Sequence, residues 1–274
     1  MNEREKILVE RETYYKQIFV LFEIVKCLKN RELAFLTPKT EERKKSARYL
    51  LAFNLDYLKK HFEWIDFNKT LVNMYMSVAK LKDVPVFSYN LAERLNDENY
   101  KNFNKEYENF VVGYDLFLDF DGKENPEKCL QEVKEMKKIF DEYKVPYYVM
   151  NSSLTGFHFH IPAEYMPSMD IKELLATLND VIYNLKGVYN LSCLDESVID
   201  MKRICKVPYS IVADGSVCLP LNDFQLESFR PENVKIGNVL RTTMIKNRGL
   251  IVRTHNLSED ILKENVKKFI SEFE

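Results

Sequence analysis

The sequence predicts an α/β chain of the α+β kind: a mixed β-sheet core with helices packed outside it and a helical N-terminal segment. Three observations carry this. The first 29 residues place Tyr14, Ile18, Leu21, Phe22, Val25 and Leu28 at three- and four-residue steps, the period of an amphipathic helix. Residues 112–120 instead alternate with period 2, as a strand does. After Gly122 a second helical stripe is followed by two more short apolar runs, "VPYYVM" and "FHFHIP", which makes a β-α-β-β unit. At 274 residues, with 46% hydrophobic and 13% aromatic side chains, the chain is long and apolar enough to bury a full core. It reads as one domain over 1–274, with a mostly helical part carrying a strand pair (1–110) and a sheet core (111–274).

In order along the chain, helix is expected over 3–29. "RELAFL" (31–36) and "ARYLLAFN" (47–54) follow as two strands around the charged loop "TPKTEERKKS". Short helices are expected at 55–62 and 69–80, and "NDENYKNFNKEYEN" (96–109) as a helix or a mobile segment. Asn125 caps the next helix and Pro126 fits its first position, because its missing N–H costs nothing there. The buried stripe of that helix is Leu130, Val133, Met136, Ile139, Phe140 and Tyr143. A helix over roughly 170–186, strand-like pieces around 207–221 and 249–253, and a C-terminal helix begun by Ser258 complete the chain.

Composition excludes some classes. A net charge of −2 neither requires nor forbids a nucleic-acid partner, which needs only a local basic surface. The most apolar N-terminal run, "IFVLFEIVKCL", is short and broken by Glu23 and Lys26, so no membrane partner is expected. The five cysteines form no CxxC or Cys/His cluster, so a structural zinc is not expected and buried thiols in a cytoplasmic chain are.

The chemistry concentrates in three stretches. "DLFLDFDG" (115–122) puts Leu116, Leu118 and Phe120 on one strand face and Asp115, Phe117, Asp119 and Asp121 on the other. Neighbouring carboxylates on one face repel unless a cation sits between them or one takes a proton. They read as two acids at a solvated strand end, as a divalent-metal cradle, or as the nucleophile and acid of a phosphatase resembling the haloacid-dehalogenase type. In "SSLTGFHFHI" (152–161), Ser152, Ser153, Thr155 and Gly156 form a turn able to wrap a phosphate, and His158 and His160 share a strand face just after it. "CLDESVIDMKRICKVPYSI" (193–211) mixes Asp195, Glu196 and Asp200 with Lys202, Arg203 and Lys206, either as solvated surface charge or as part of a site. Together these are the parts of nucleotidyl transfer: three carboxylates can hold two divalent ions ~4 Å apart, and cations can neutralise a leaving pyrophosphate.

On these residues the chain resembles the archaeo-eukaryotic primase superfamily, in particular the catalytic small subunit of archaeal and eukaryotic DNA primases. "LFLDFD" matches a hydrophobic strand ending in DxD; Ser152, Gly156 and His158 match S-x-x-x-G-x-H; "LDESV" with "KVPYS" matches the third motif through Asp195, Lys206, Pro208 and Ser210. "NRELAF" and "RYLLAFN" resemble the N-terminal motifs of that family. The resemblance implies a template-directed primase-polymerase acting on single-stranded DNA and nucleoside triphosphates, with a primase large subunit or another replication protein as a further partner. Asp119, Asp121 and Asp195 would hold two Mg²⁺ or Mn²⁺ ions. Ser152, Ser153, Gly156, His158, Arg203, Lys206 and Arg31 would contact the nucleotide. The chain departs from the family at Leu154 and Thr155, where basic residues are common, at Ile211–Ala213, where a His is common, and in lacking the zinc knuckle. The rival readings are a dehalogenase-like phosphatase, which lacks its late paired-acid motif here, and a non-catalytic nucleic-acid-binding module, for which acids in the groove would oppose phosphate.

Overall fold

A computed structural model gives the architecture and describes residues 2–37, 46–52, 54–65, 71–87, 93, 96–241 and 252–274. The N-terminal helical stretch is two helices, α1 (Glu3–Tyr15) and α2 (Ile18–Cys27), parted at Lys16 and Gln17. A capping box at Asn2 and Glu5 starts the first. Then come β1 (Leu33–Leu36), β2 (Ser46–Leu50) and α3 (Leu55–Trp64). The helix expected at 69–80 is instead two strands, β3 (Asn73–Ser77) and β4 (Ala79–Leu81). Met74 and Met76 are buried in one sheet and Ala79 and Leu81 in the next. The change of sheet at Val78 breaks the period of 2, leaving Leu71, Met74, Val78 and Leu81 at helical spacing. The polar segment is helical, α4 (Glu98–Lys105), followed by a 3₁₀ turn at Tyr107–Phe110.

The run at 112–120 also changes sheet, as β5 (Val111–Tyr114) and β6 (Leu116–Phe120). Helix α5 (Pro126–Tyr143) is capped by Asn125, whose side chain accepts the Lys128 N–H, with Pro126 in its first turn, as expected. Strands β7 (Tyr148–Asn151) and β8 (Phe157–Ile161) complete the unit. Helix α6 (Ile171–Tyr189) follows, and residues 207–221 supply only isolated bridges after the short β9 (Ile204–Lys206). Helix α7 (Asp223–Glu227), helix α8 (Ile236–Arg241) and the C-terminal α9 (Glu259–Phe273), with Ser258 at its N-cap position but making no side-chain cap hydrogen bond, follow. The strand expected at 249–253 lies largely outside the described residues, apart from an Arg253 bridge to Tyr147.

The described strands form three sheets, β2-β1-β3-β9, β4-β5 and β6-β8-β7, every pairing antiparallel. β8 lies between β6 and β7, so it brings the "FHFHI" side chains beside "LFLDF", with Asp119 opposite His158 and Phe117 opposite His160. One continuous apolar core joins the first helices to the last through Phe35, Leu116, Phe159 and Phe269. No described helix is long and apolar enough to cross a membrane. All five cysteines are free, and only Cys193 is partly exposed.

The two sheet changes meet at a buried ion pair. Strands that leave a sheet leave carbonyls without ladder partners, and a buried carbonyl must find a donor. Arg31 supplies it: Nη1 donates to the Ser77 and Val78 carbonyls at 2.9 and 2.6 Å, and Nη2 donates to both Asp115 oxygens at 2.8 Å. Asp115 also accepts from the Ala163 N–H and faces His160 Nδ1 at 3.1 Å, while the His160 ring stacks on Tyr148. Burial pulls the His160 pKa down from 6.5 to about 4, against the opposing pull of Asp115. The neutral ring therefore belongs to the fold. Between pH 6.5 and 4 the unfolded chain binds more protons, so stability is full above the upper value and is lost as the pH falls through the window, on the order of 3 kcal/mol in all. Urea midpoints measured across that range should fall with acidification. His160→Asn, whose amide can take the Nδ1 position, should flatten the slope; an equally steep slope in that variant would exclude His160 as its source.

Candidate active site

Three acids descend one face of β6, and each meets its own cation. Asp115 is fully buried on Arg31, and its pKa is held down to about 2: burial pushes it up, but Arg31 and His160 outweigh burial. Asp119, four residues on, is about a quarter exposed, with Oδ1 3.4 Å from His158 Nε2 and Oδ2 3.5 Å from Arg203 Nη2. Burial raises its pKa, yet His158, Arg203 and Lys123 together hold it below the ordinary carboxylate value. Asp121, half exposed beyond the strand end, accepts from the Lys123 backbone N–H at 3.0 Å and from its ammonium at 2.7 Å.

Asp195, distant in sequence, is brought opposite Asp119 by backbone pairing. The segment 193–195 forms an antiparallel bridge with the end of β6, centred on Phe120 and Leu194. The Asp195 N–H donates to the Asp119 carbonyl and the Asp121 N–H to the Cys193 carbonyl, both at 2.9 Å. Phe120 and Leu194 point into the core, so the residues beside them, Asp119 and Asp195, share the other face. Arg203 Nη2 also lies 3.7 Å from Asp195 Oδ2, so one guanidinium stands near both carboxylates. From α5, buried Glu132 fixes the segment by accepting from Ser192 N–H and Oγ and from Cys193 N–H. Glu132 was not legible as a site residue: its spacing on the helix marks it as one more charge beside the buried stripe.

Asp119, Asp121 and Arg203 border an open cleft of about 570 Å³, and Asp195 stands beside it without lining it. Asp119, Asp121 and Lys123 line one side; Ser152, Ser153, Gly156 and His158 line another; Arg203 and Lys206 border it from the β9 region. Lys206 lies opposite Tyr75 in the β3–β9 register, and its ammonium donates to the Tyr75 hydroxyl at 2.6 Å. Tyr75, Lys123 and Asp214 line the cleft without having been foreseen. Tyr75 was concealed by the helix expected at 69–80, and Lys123 had a signal in its place directly after "DFDG".

Two expectations need revision. Arg31 does not line the cleft; it is 6% exposed, and its hydrogen bonds go to Asp115, Ser77 and Val78. Partners so far apart in sequence, on strands changing sheet, leave no local pattern to read. The 152–156 turn does reach the cleft, but most of its amides are engaged: Ser153 Oγ accepts from the Thr155 and Gly156 N–H groups, Asp214 accepts from Leu154 N–H, and the Gly156 carbonyl accepts from Ser152 N–H. Hydroxyls, rather than free amides, are what this turn offers a phosphate. Close packing makes the neighbouring glycine essential: a Cβ on Gly122 would stand 2.2 Å from the Thr155 carbonyl and 2.9 Å from the Cys129 Cβ. Gly122→Ala should therefore cost about 1–3 kcal/mol and move the strand end away from the turn. A melting temperature equal to the wild type's would contradict that packing.

Carboxylates are the ligands hard divalent ions take, and Asp119 and Asp195 already flank a shared cation. Among the described residues no three His, Cys, Asp or Glu side chains are gathered into a ready metal cage. The donor set fits a divalent ion in kind, with Asp121 turned onto Lys123 and Asp195 Oδ1 accepting from Ser197.

The fold is similar to that of a polymerase domain of known structure. No family model and no curated protein matches the sequence. Among solved structures the chain is similar to the polymerase domain from Mycobacterium tuberculosis Ligase D in complex with DNA, with a TM-score of 0.54 and 12% identity over 85% of this chain and 88% of that one. A weaker likeness, with a TM-score of 0.43 and 7% identity over 84% of this chain and 97% of that one, is to the catalytic domain of primase Repb' in complex with initiator DNA.

Proposed function

We propose that the chain is a nucleotidyltransferase of the archaeo-eukaryotic primase superfamily, which makes or extends a primer on single-stranded DNA from nucleoside triphosphates. The observation that carries this reading is the pairing of Asp119 with Asp195 across the end of β6, beside a cleft whose other walls carry His158, two serine hydroxyls and Lys206. Acids on one wall and hydrogen-bond donors on the others suit a nucleotide whose triphosphate lies between bound cations and the protein. The similarity to a DNA-bound polymerase domain supports the fold on which that chemistry would run.

In this reading Asp119, Asp121 and Asp195 hold two Mg²⁺ or Mn²⁺ ions, which would lower the pKa of the attacking 3′-hydroxyl and offset charge on the α-phosphate. Ser152, Ser153 and His158 donate to the triphosphate, and Gly156 keeps the turn close enough for them to reach. Lys206 and Arg203 neutralise the leaving pyrophosphate. The 3′-hydroxyl gives its proton to water as its oxygen attacks the α-phosphorus, the bond to the β-phosphate oxygen breaks, and pyrophosphate departs. The test incubates the protein with single-stranded DNA, labelled nucleotides and Mn²⁺. Polymer in the wild type that vanishes in Asp119→Ala and Asp121→Ala supports the assignment; phosphate released from simple phosphomonoesters with no polymer would replace it with the phosphatase.

A further inference from the structure

Arg31 and Arg203, two of the arginines that meet acids in this fold, are held in opposite ways. Arg31 makes hydrogen bonds of 2.6–2.9 Å to two carbonyls and both Asp115 oxygens. Arg203 Nη2 stands 3.5 Å from Asp119 and 3.7 Å from Asp195, beyond the ~2.7–2.9 Å of a charge-assisted hydrogen bond. Its Nε is buried with no hydrogen-bond partner, while its backbone is fixed by its N–H on the Asp200 carbonyl and by its own carbonyl under Val78 N–H. A loosely held guanidinium thus sits on an anchored backbone, at a point where it screens two carboxylates that would otherwise repel across the ladder.

On the reading of Asp119 and Asp195 as metal ligands, on which this step rests, a divalent ion competes for the same two oxygens. We infer that Arg203 is an exchangeable counterion: it neutralises Asp119 and Asp195 in the metal-free chain and moves to the triphosphate when a divalent ion takes those carboxylates. A phosphate offers two oxygens of one group to the planar fork of a guanidinium, the two-point partner that it lacks between two separate acids. Metal and nucleotide binding are then coupled through one side chain, each favouring the other by the same factor. Lys206 provides the contrast, since its ammonium is placed by Tyr75 and no ion pair joins it to a carboxylate among the described residues.

Calorimetric titration of Mn²⁺ separates these roles, with and without a non-hydrolysable nucleoside triphosphate, in the wild type, Arg203→Gln and Lys206→Gln. Arg203→Gln should bind Mn²⁺ alone about 3- to 10-fold more tightly than the wild type, and nucleotide should enhance its Mn²⁺ affinity by a factor at least ~10-fold smaller. Lys206→Gln removes the same charge from the same cleft; it should weaken nucleotide binding yet leave Mn²⁺ alone within about 2-fold. Equal tightening in both variants would reduce the effect to net charge and overturn the inference, as would unaltered Mn²⁺ affinity in Arg203→Gln. A wild type that binds no Mn²⁺ overturns the carboxylate reading itself, so the two failures are distinguishable.

Discussion

Asp119→Asn should lower nucleotide incorporation by roughly 10³-fold or more, while the protein stays folded. The substitution keeps the size of the side chain and removes the charge, and the charge is what the site uses. Asp119 meets His158 on β8 and Arg203 before β9 through its side chain, and Asp195 across the ladder through its backbone. Its low pKa keeps it ionised at neutral pH. Little stability should be lost, because Arg203 is 29% exposed and can be solvated when its partner is neutralised. Asp121→Asn should cost less in nucleotide-free Mn²⁺ affinity than Asp119→Asn, since Asp121 must first leave Lys123. Primer extension, Mn²⁺ titration and thermal melting on the same preparations separate the outcomes. Incorporation within tenfold of the wild type, by folded Asp119→Asn, would remove the metal-site reading.

That the sequence exposes this site and hides its foundation has a physical cause. Asp119, Asp121, Ser152, Gly156 and His158 lie within or beside β6 and β8, strands with period-2 alternation and flanking turns that can be read without knowing the rest of the fold. Asn125 and Pro126 mark the start of α5 for equally local reasons. Asp195 is legible by its neighbours in "LDESV", but what places it is backbone pairing with β6 and the hold of Glu132 on Ser192 and Cys193, neither of which has a local signature. The harder cases share one origin. Residues 73–81 and 111–120 each serve two sheets, and in the first of them the phase slip at Val78 scrambles the pattern from which strands are recognised. The change of sheet leaves Asp115 buried at the junction, apart from the other two acids of its face, and creates the need for Arg31.

Breaking that junction should have the largest effect on stability. Arg31→Met leaves the Asp115 carboxylate buried with His160 and the Ala163 amide alone to satisfy it; Asp115→Asn leaves a buried guanidinium with no counter-charge. Each should destabilise the fold by about 3–5 kcal/mol, the usual cost of removing one member of a buried pair. The double variant should lose distinctly less than the sum of the singles, because neither orphaned charge remains. Urea unfolding of the four proteins gives the coupling, and a value near zero would mean that the pair does not act as a unit. Arg31→Lys tests the competing role implied by the family resemblance. An ammonium cannot bridge both Asp115 oxygens and two carbonyls at once, so stability should fall. Nucleotide affinity, measured at a temperature where the variant is folded, should hold within about twofold, because Arg31 lies outside the cleft that Arg203 and Lys206 border.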